Sequence, residues 1–520
     1  MHQSWYEYGR RRLHPRPSSL LPLPLPVPLR KILFHHVHVC VRLEGWDQIC
    51  EFHVSAAAHC RIPQIIVGAS ISGLTSAVAL RSSGHTVLVL ERDSEIGGSD
   101  LVNGGVRVAP NGFKTLAEWG LEAEIRENGV IGEGFVTYKY DHKGKESGRD
   151  YIGLSLWDPE LLVDARGDFL QMRHKDLLEI LYRKATEPTQ NESSPGSATV
   201  LFNSEVAHID CERCTVTLKS GETHSADAIL GADGPSGLVR KLLLEEEPAT
   251  SEEPQSELAV YMTVIPRSVA LEHPVLKELY QYPQSNMIVT YLGNNRASKV
   301  FLVGKNRDVF VSIYTPDGDL KDRCGSWSVQ SERNMREILG PGYDIMLHHL
   351  AEQASGPSAC VQIKRHSELA SWVSHSGKVV AIGNAAHPFP PMALHSCSTA
   401  IEDGAFIGKV FSHTKDPARI PEFFHAFEET RKPRCAYILS TEQNHIEFTC
   451  MPDGDKQIAR DETLRANEAA GRNVLDAPDV DMHRIWEDMS IVFSYDPFDS
   501  AEEWWVSWGR LRDQAARVHK

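Results

Sequence analysis

Ile65-Ile66-Val67-Gly68-Ala69-Ser70-Ile71-Ser72-Gly73-Leu74, followed by Thr86-Val87-Leu88-Val89-Leu90-Glu91, decides the fold. Residues 62 to 67 are a short, mostly apolar run of the kind that forms a buried parallel strand. Gly68 stands where the chain must turn sharply, and Gly73 where the next helix must pack closely on the sheet. Between them Ser70 replaces the middle glycine usual in such a loop. Its Cβ tightens the approach to a ligand, while its hydroxyl offers a hydrogen bond. A helix from about Ser72 to Ser82 would aim its first N–H groups at a pyrophosphate. The second strand, Val87 to Leu90, ends at Glu91, eighteen residues after Gly73, where an acid takes ribose hydroxyls. Strand, glycines, helix, strand and acid in register predict a βαβ unit that holds a dinucleotide.

Composition narrows the class. A chain of 520 residues is too long for one small core, so two domains plus extensions are expected. Hydrophobic residues at 41% and charged residues at 24% are globular values. The net charge of −16 argues against nucleic-acid binding, which needs a basic footprint. No run of eighteen apolar residues appears, so no spanning helix is expected. Ten scattered cysteines suit a reducing compartment, and a cytoplasmic location is expected. No metal site is expected: Cys211 and Cys214 form a lone CxxC within a strand-like segment, and His35, His36 and His38 lack an acidic or cysteine partner nearby. Asn191-Glu192-Ser193 is a glycosylation sequon, with meaning only in a secreted chain.

Residues 1–61 stand apart. Leu21-Pro22-Leu23-Pro24-Leu25-Pro26-Val27-Pro28 excludes a helix, so the segment should be extended or disordered. A linker, a targeting segment and a misplaced start codon all fit, and the last is preferred.

Two further segments complete the pattern. They are Gly231-Ala232-Asp233-Gly234-Pro235-Ser236-Gly237-Leu238-Val239-Arg240, and Gly383-Asn384-Ala385-Ala386-His387-Pro388 running on to Glu402-Asp403. In this order the three resemble the FAD-contacting motifs of the class A FAD-dependent monooxygenases, which include para-hydroxybenzoate and salicylate hydroxylases, and in particular a fungal secondary-metabolism type. The resemblance implies an α/β fold: a Rossmann-like FAD-binding domain of glutathione-reductase type, an inserted antiparallel β-sheet substrate domain and a helical C-terminal tail. The corresponding boundaries are 62–257 and 366–445 for the FAD-binding domain, 258–365 for the substrate domain and 446–520 for the tail. The runs Leu258 to Ile265, Met287 to Leu292, Val300 to Val303 and Val309 to Tyr314 alternate as an antiparallel sheet with one covered face.

The resemblance also assigns residues. Gly68, Ser70, Gly73 and Glu91 would hold the adenosine half and pyrophosphate of FAD. Gly104 and Gly105, in Asn103-Gly104-Gly105-Val106-Arg107, would let the backbone approach the flavin ring. Arg173 has the charged fork suited to the diphosphate region, and Asp233 would sit near the pyrophosphate. Asn384 stands where the family has an aspartate on the ribityl chain, keeping an acceptor but losing the charge. Leu394-His395-Ser396-Cys397-Ser398 replaces a glycine-bearing stretch, with Cys397 as a flavin contact. Gly237 replaces the family's serine, and His387 reads as a packed structural histidine. Tyr261 is the candidate for orienting substrate. Trp504, Trp505 and Trp508 share one helix side, for which packing on the body is preferred over membrane-surface contact or dimerisation.

The implied cofactor is non-covalent FAD, reduced by NADPH or NADH. The implied reaction uses O2 through a flavin C4a-hydroperoxide to insert one oxygen atom into an aromatic or polyketide/terpenoid-type small molecule. The rival readings are a flavin-dependent oxidase or epoxidase on the same fold and, from another class, a catalytically silent FAD- or ligand-binding protein. A halogenase is set aside because its Trp-rich segment is missing.

Overall fold

The computed structural model describes residues 61–98, 104–141, 149–187, 196–247, 255–316, 329–331, 333–340, 342–354, 358–364, 366–413, 415–475 and 489–511. The proline-rich extension lies outside the described residues. The first strand, Pro63–Val67, is central in a five-stranded parallel sheet. Thr86–Leu90 and then Ser197–Leu201 flank it on one side, Ala228–Gly231 and then Val379–Ala381 on the other. The helices Ile71–Ser82 and Ser396–Phe411 pack on each other over this sheet. The apolar run therefore folds as expected, because a strand buried on both faces tolerates only apolar side chains.

The second layer is an eight-stranded sheet. Its order is Val329–Ser331, Ser358–Lys364, Gln255–Ile265, Asp308–Pro316, Arg296–Val303, Met287–Gly293, Gly134–Lys139 and Tyr151–Leu156. All pairs are antiparallel except Met287–Gly293 with Gly134–Lys139, which run parallel. The sheet thus takes two strands from the segment 134–156, inside the stretch assigned by sequence to the FAD-binding part. A boundary at 258 divides the sheet rather than enclosing it.

The expectation of one covered face is also corrected. Tyr261, Val289, Tyr291, Val300, Val311 and Ile313 face outward, yet are buried with Met335, Ile338, Met346 and Leu350 of the helices Met335–Leu339 and Ile345–Gln353. The opposite face presents Val260, Met262, Phe301, Phe310 and Tyr314 to the loop 389–394 and to Ile438 of the long helix Ile420–Thr449. Alternation along each strand sorts the residues between two cores.

The tail follows the packing expectation only in part. Trp504 is buried and Trp505 stacks on His413 with ring centroids 4.3 Å apart, but Trp508 is 59% exposed. The α-helix Pro497–Trp504 passes into a π-turn at Trp505–Gly509, which shifts the helical register and turns Trp508 out. No described helix is long and apolar enough to cross a membrane.

Candidate functional site

The first glycine loop is fixed by close approach. Gly68 has φ +101°, and a Cβ there would lie 2.7 Å from the Ala232 carbonyl oxygen, while one on Gly73 would run into the Gly68 carbonyl. Ser70 caps the helix Ile71–Ser82, its Oγ accepting from the Gly73 amide at 3.3 Å. The serine that displaces the middle glycine is thus an N-cap, a role that sequence spacing alone did not reveal. The Glu91 carboxylate accepts from the Ala69 amide at 2.7 Å and the Asp93 amide at 2.9 Å. It ties the end of the second strand to the loop after the first.

The second segment joins the same loop. Asp233 Oδ2 accepts from the Val239 amide at 3.0 Å. Its Oδ1 is buried without a hydrogen-bond partner, and burial raises this carboxyl above its usual range. A Cβ at Gly237 would overlap the Asp233 carboxylate, so the family's serine is excluded there by the local path of the chain. Arg240 is buried and donates to the Ser367 carbonyl and, at 2.9 Å, to the Ala385 carbonyl. It thereby holds the third segment against the second.

In the third segment Asn384 Oδ1 accepts from the Phe389 amide at 3.2 Å, closing the turn Gly383–Ala385. Asp403 accepts from the Gly383 amide at 2.9 Å, and its Oδ2 lies 2.6 Å from His387 Nε2. Burial alone would lower the His387 pKa, but Cys435 and Asp403 beside it prevail and raise it to about 10. His387 is accordingly a buried, charged partner of Asp403, consistent with its structural reading. Arg431 reaches Asp403 at 3.0 Å and Glu402 at 2.6 Å, Arg434 reaches Glu402 at 2.8 Å, and Asn111 Nδ2 donates to Glu402 at 2.6 Å. Burial would raise the Glu402 carboxyl, but Arg434 and Arg431 hold it at about 2. This network locks the helix Ser396–Phe411 to two others. That helix begins without a side-chain cap, leaving its first amides available. Cys397, in the first turn, is buried and its thiol is pushed up to about 12, so it is a neutral packing group at ordinary pH.

Gly104 and Gly105 lie against the inner face of the large sheet. A Cβ on Gly105 would come within 3.0 Å of Phe301, Phe310 and Val303. Gly105 pairs with Arg173 across two strands, and Arg173 forms an ion pair with Asp308 at 2.8 Å, which fastens that pair to the sheet. Tyr261 is placed differently from its sequence expectation. It points to the outer face among Ile313 and Cys360, and its hydroxyl accepts from Arg333 at 3.2 Å. The period-two alternation that puts Met262 inward puts Tyr261 outward. Tyr314 is the tyrosine on the inner face, its hydroxyl 3.5 Å from the Met392 carbonyl. Two buried cations, Arg107 and Lys299, share that face and were not singled out by sequence. The signal available was a lysine at the inward register of Ala297, Phe301 and Val303.

The family model for an FAD binding domain matches residues 61–441. The chain belongs to the class A FAD-dependent monooxygenases, of the fungal secondary-metabolism type. It is an oxidoreductase with FAD as its cofactor. It is 25% identical over 406 residues to an FAD-dependent monooxygenase of Beauveria bassiana, covering 78% of this chain and 89% of that one. It is 26% identical over 388 residues to hispidin-3-hydroxylase of Neonothopanus nambi, covering 72% and 86%. CtdE in complex with FAD and substrate superposes with a TM-score of 0.65 at 18% identity, over 87% of this chain and all of that one, a likeness of fold. The residues of this class A monooxygenase fit FAD. The glycine loop has no room for side chains at Gly68 or Gly73, the Asp233 Oδ1 is an unused buried acceptor, and the helix Ile71–Ser82 begins directly after this loop.

Proposed function

We propose that the enzyme inserts one atom of O2 into an aromatic or polyketide/terpenoid-type small molecule, with NADPH or NADH as reductant. The balance is substrate–H + O2 + NAD(P)H + H⁺ giving substrate–OH + NAD(P)⁺ + H2O. When bound, FAD supplies the oxygen activation, and the protein binds, orients and excludes water. Gly68, Ser70, Gly73, Glu91, Asp233 and Asn384 are proposed to hold the cofactor, Gly104 and Gly105 to give its ring a flat backbone wall, and Arg173 to stiffen the strand behind them.

The observation that carries this reading is the inner sheet face. Met262, Phe301, Phe310 and Tyr314 form an apolar and aromatic wall beside the Gly104–Gly105 loop, suited to a planar substrate. The test is to purify the protein, record its flavin spectrum and screen phenolic polyketides for NADPH and NADH consumption. A product heavier by one oxygen atom is expected. Oxidation without oxygen gain would make it an oxidase, and flavin binding with no substrate-stimulated turnover would make it a silent binder.

A further inference from the structure

Arg107 and Lys299 are two buried cations on the inner side of the large sheet that, unlike Lys139 with Asp461, form no ion pair among the described residues. Arg107 follows the Gly104–Gly105 loop and is 2% exposed. Its Nη2 donates to the carbonyls of Met392 and, at 3.1 Å, Ala393, but its Nε and Nη1 are buried and have no hydrogen-bond partner among the described residues. Lys299 is also 2% exposed; its backbone is held in the sheet, where its carbonyl accepts from the Ser312 hydroxyl, but its amine has no hydrogen bond or ion pair among the described residues. Its Nζ lies 5.4 Å from the Tyr314 ring centroid, and the Arg107 guanidinium lies 5.7 Å from that of Phe301. The nearby acid is Glu442 of the long helix, which is engaged by the His395 amide at 2.7 Å. Two cations face one carboxylate that already has a partner, and donors point at nothing.

Such an arrangement is costly for folding alone. Buried donors without acceptors and a buried cation without a counter-charge each destabilise the fold. An apolar residue at 299 would match Ala297, Phe301 and Val303 on the same side of the strand. Burial and the neighbouring Arg107 push the Lys299 amine down to about 7, so it gains a proton readily when an anion arrives. His395 and His445 are held below their usual range by burial, so both stay neutral and neither adds to nor offsets the charge of the two cations.

We propose that Arg107 and Lys299 form a receptor for an anionic oxygen of the substrate, a carboxylate or an acidic phenol or enol on a conjugated ring, with Phe301 and Tyr314 as its aromatic walls. This rests on the monooxygenase reading and adds the charge class of the substrate. The donors come from separate strands, so the site is assembled only in the folded enzyme, and Arg107 simultaneously sets the path of the loop leading into the helix Ser396–Phe411.

The test uses the full-length flavin-loaded enzyme and two probes of equal shape, benzoate and benzamide, titrated by the change in flavin absorbance. Benzoate is expected to bind at least tenfold more tightly than benzamide. Lys299→Met should remove that preference, Lys299→Arg should retain it, and flavin content should stay unchanged in both. Equal binding of the two probes, no response to benzoate, or an unaltered preference in Lys299→Met would each overturn the proposal. So would loss of flavin from a folded Lys299→Met, since that would assign the amine to the cofactor. If Lys299→Met does not fold, the wild-type preference together with Lys299→Arg decides. The probes are read without turnover, so failure of the monooxygenase reading, seen as no oxygen gain in any product, stays separate from failure of the anion receptor.

Discussion

Asn384 accepts one backbone amide, that of Phe389, and a carboxylate would accept it equally well. Asn384→Asp is therefore expected to keep or tighten FAD binding. A loss of tenfold or more in the dissociation constant, about 1.4 kcal/mol, would show that the site is adapted to a neutral side chain. Glu91 is the opposite case, because it holds both the Ala69 and Asp93 amides. Glu91→Ala should weaken FAD by about 1.5–3 kcal/mol, the scale of a charge-assisted bond, as measured by equilibrium dialysis. Gly237→Ser restores a family residue yet should reduce flavin content, because its Cβ falls on the Asp233 carboxylate. Flavin content equal to wild type would mean that the Asp233 turn can move aside.

At the scale of elements, the charged network around Glu402 and Asp403 joins the helices Pro110–Glu118, Ser396–Phe411 and Ile420–Thr449. Removing one partner strands the others in the interior, so Arg431→Met should destabilise by about 3–5 kcal/mol in urea unfolding. His387 gives the network a pH dependence. Its folded pKa is raised from 6.5 to about 10, so its stabilisation is complete below pH 6.5 and is lost as pH rises through 10. The stability gap between wild type and His387→Gln should narrow across that window, and a gap independent of pH would refute the charged state. None of these pairings was legible from sequence, since Glu402 and Arg431 meet only after two helices pack. The elements themselves were more legible. The strand and helix of the first motif fell within a residue or so of Pro63–Val67 and Ile71–Ser82, because their apolar runs and glycines act locally. The strand Arg296–Val303 was read only from Val300, because Arg296, Ser298 and Lys299 break the apolar pattern. The same lysine that hid the strand is what marks the buried receptor. The residues proposed to hold the cofactor lie in contiguous motifs; those proposed to face substrate are spread over strands whose facing depends on register, which is why Tyr261 was singled out and Tyr314 was not.

For the whole molecule, the family match starts at residue 61 and the first described strand at Pro63. Deleting residues 1–60 is expected to leave soluble protein and its flavin content unchanged, and loss of solubility would show that the extension supports the body. The larger sheet carries a different consequence. Met287–Gly293 runs parallel to Gly134–Lys139, so neighbouring strands of one sheet come from both sides of the acidic stretch 245–257. A single cut by a protease in that stretch should therefore release no free domain. The two fragments should co-elute on gel filtration and part only in denaturant, and neither should refold alone. During synthesis the strand Gly134–Lys139 can pair early with Tyr151–Leu156 but must wait for some 150 further residues before its parallel partner exists, so the sheet closes late and slowly, as pairings distant in sequence do. A nascent chain halted before Met287 would expose one unpaired edge of that strand, and is the form of this enzyme most in need of a chaperone.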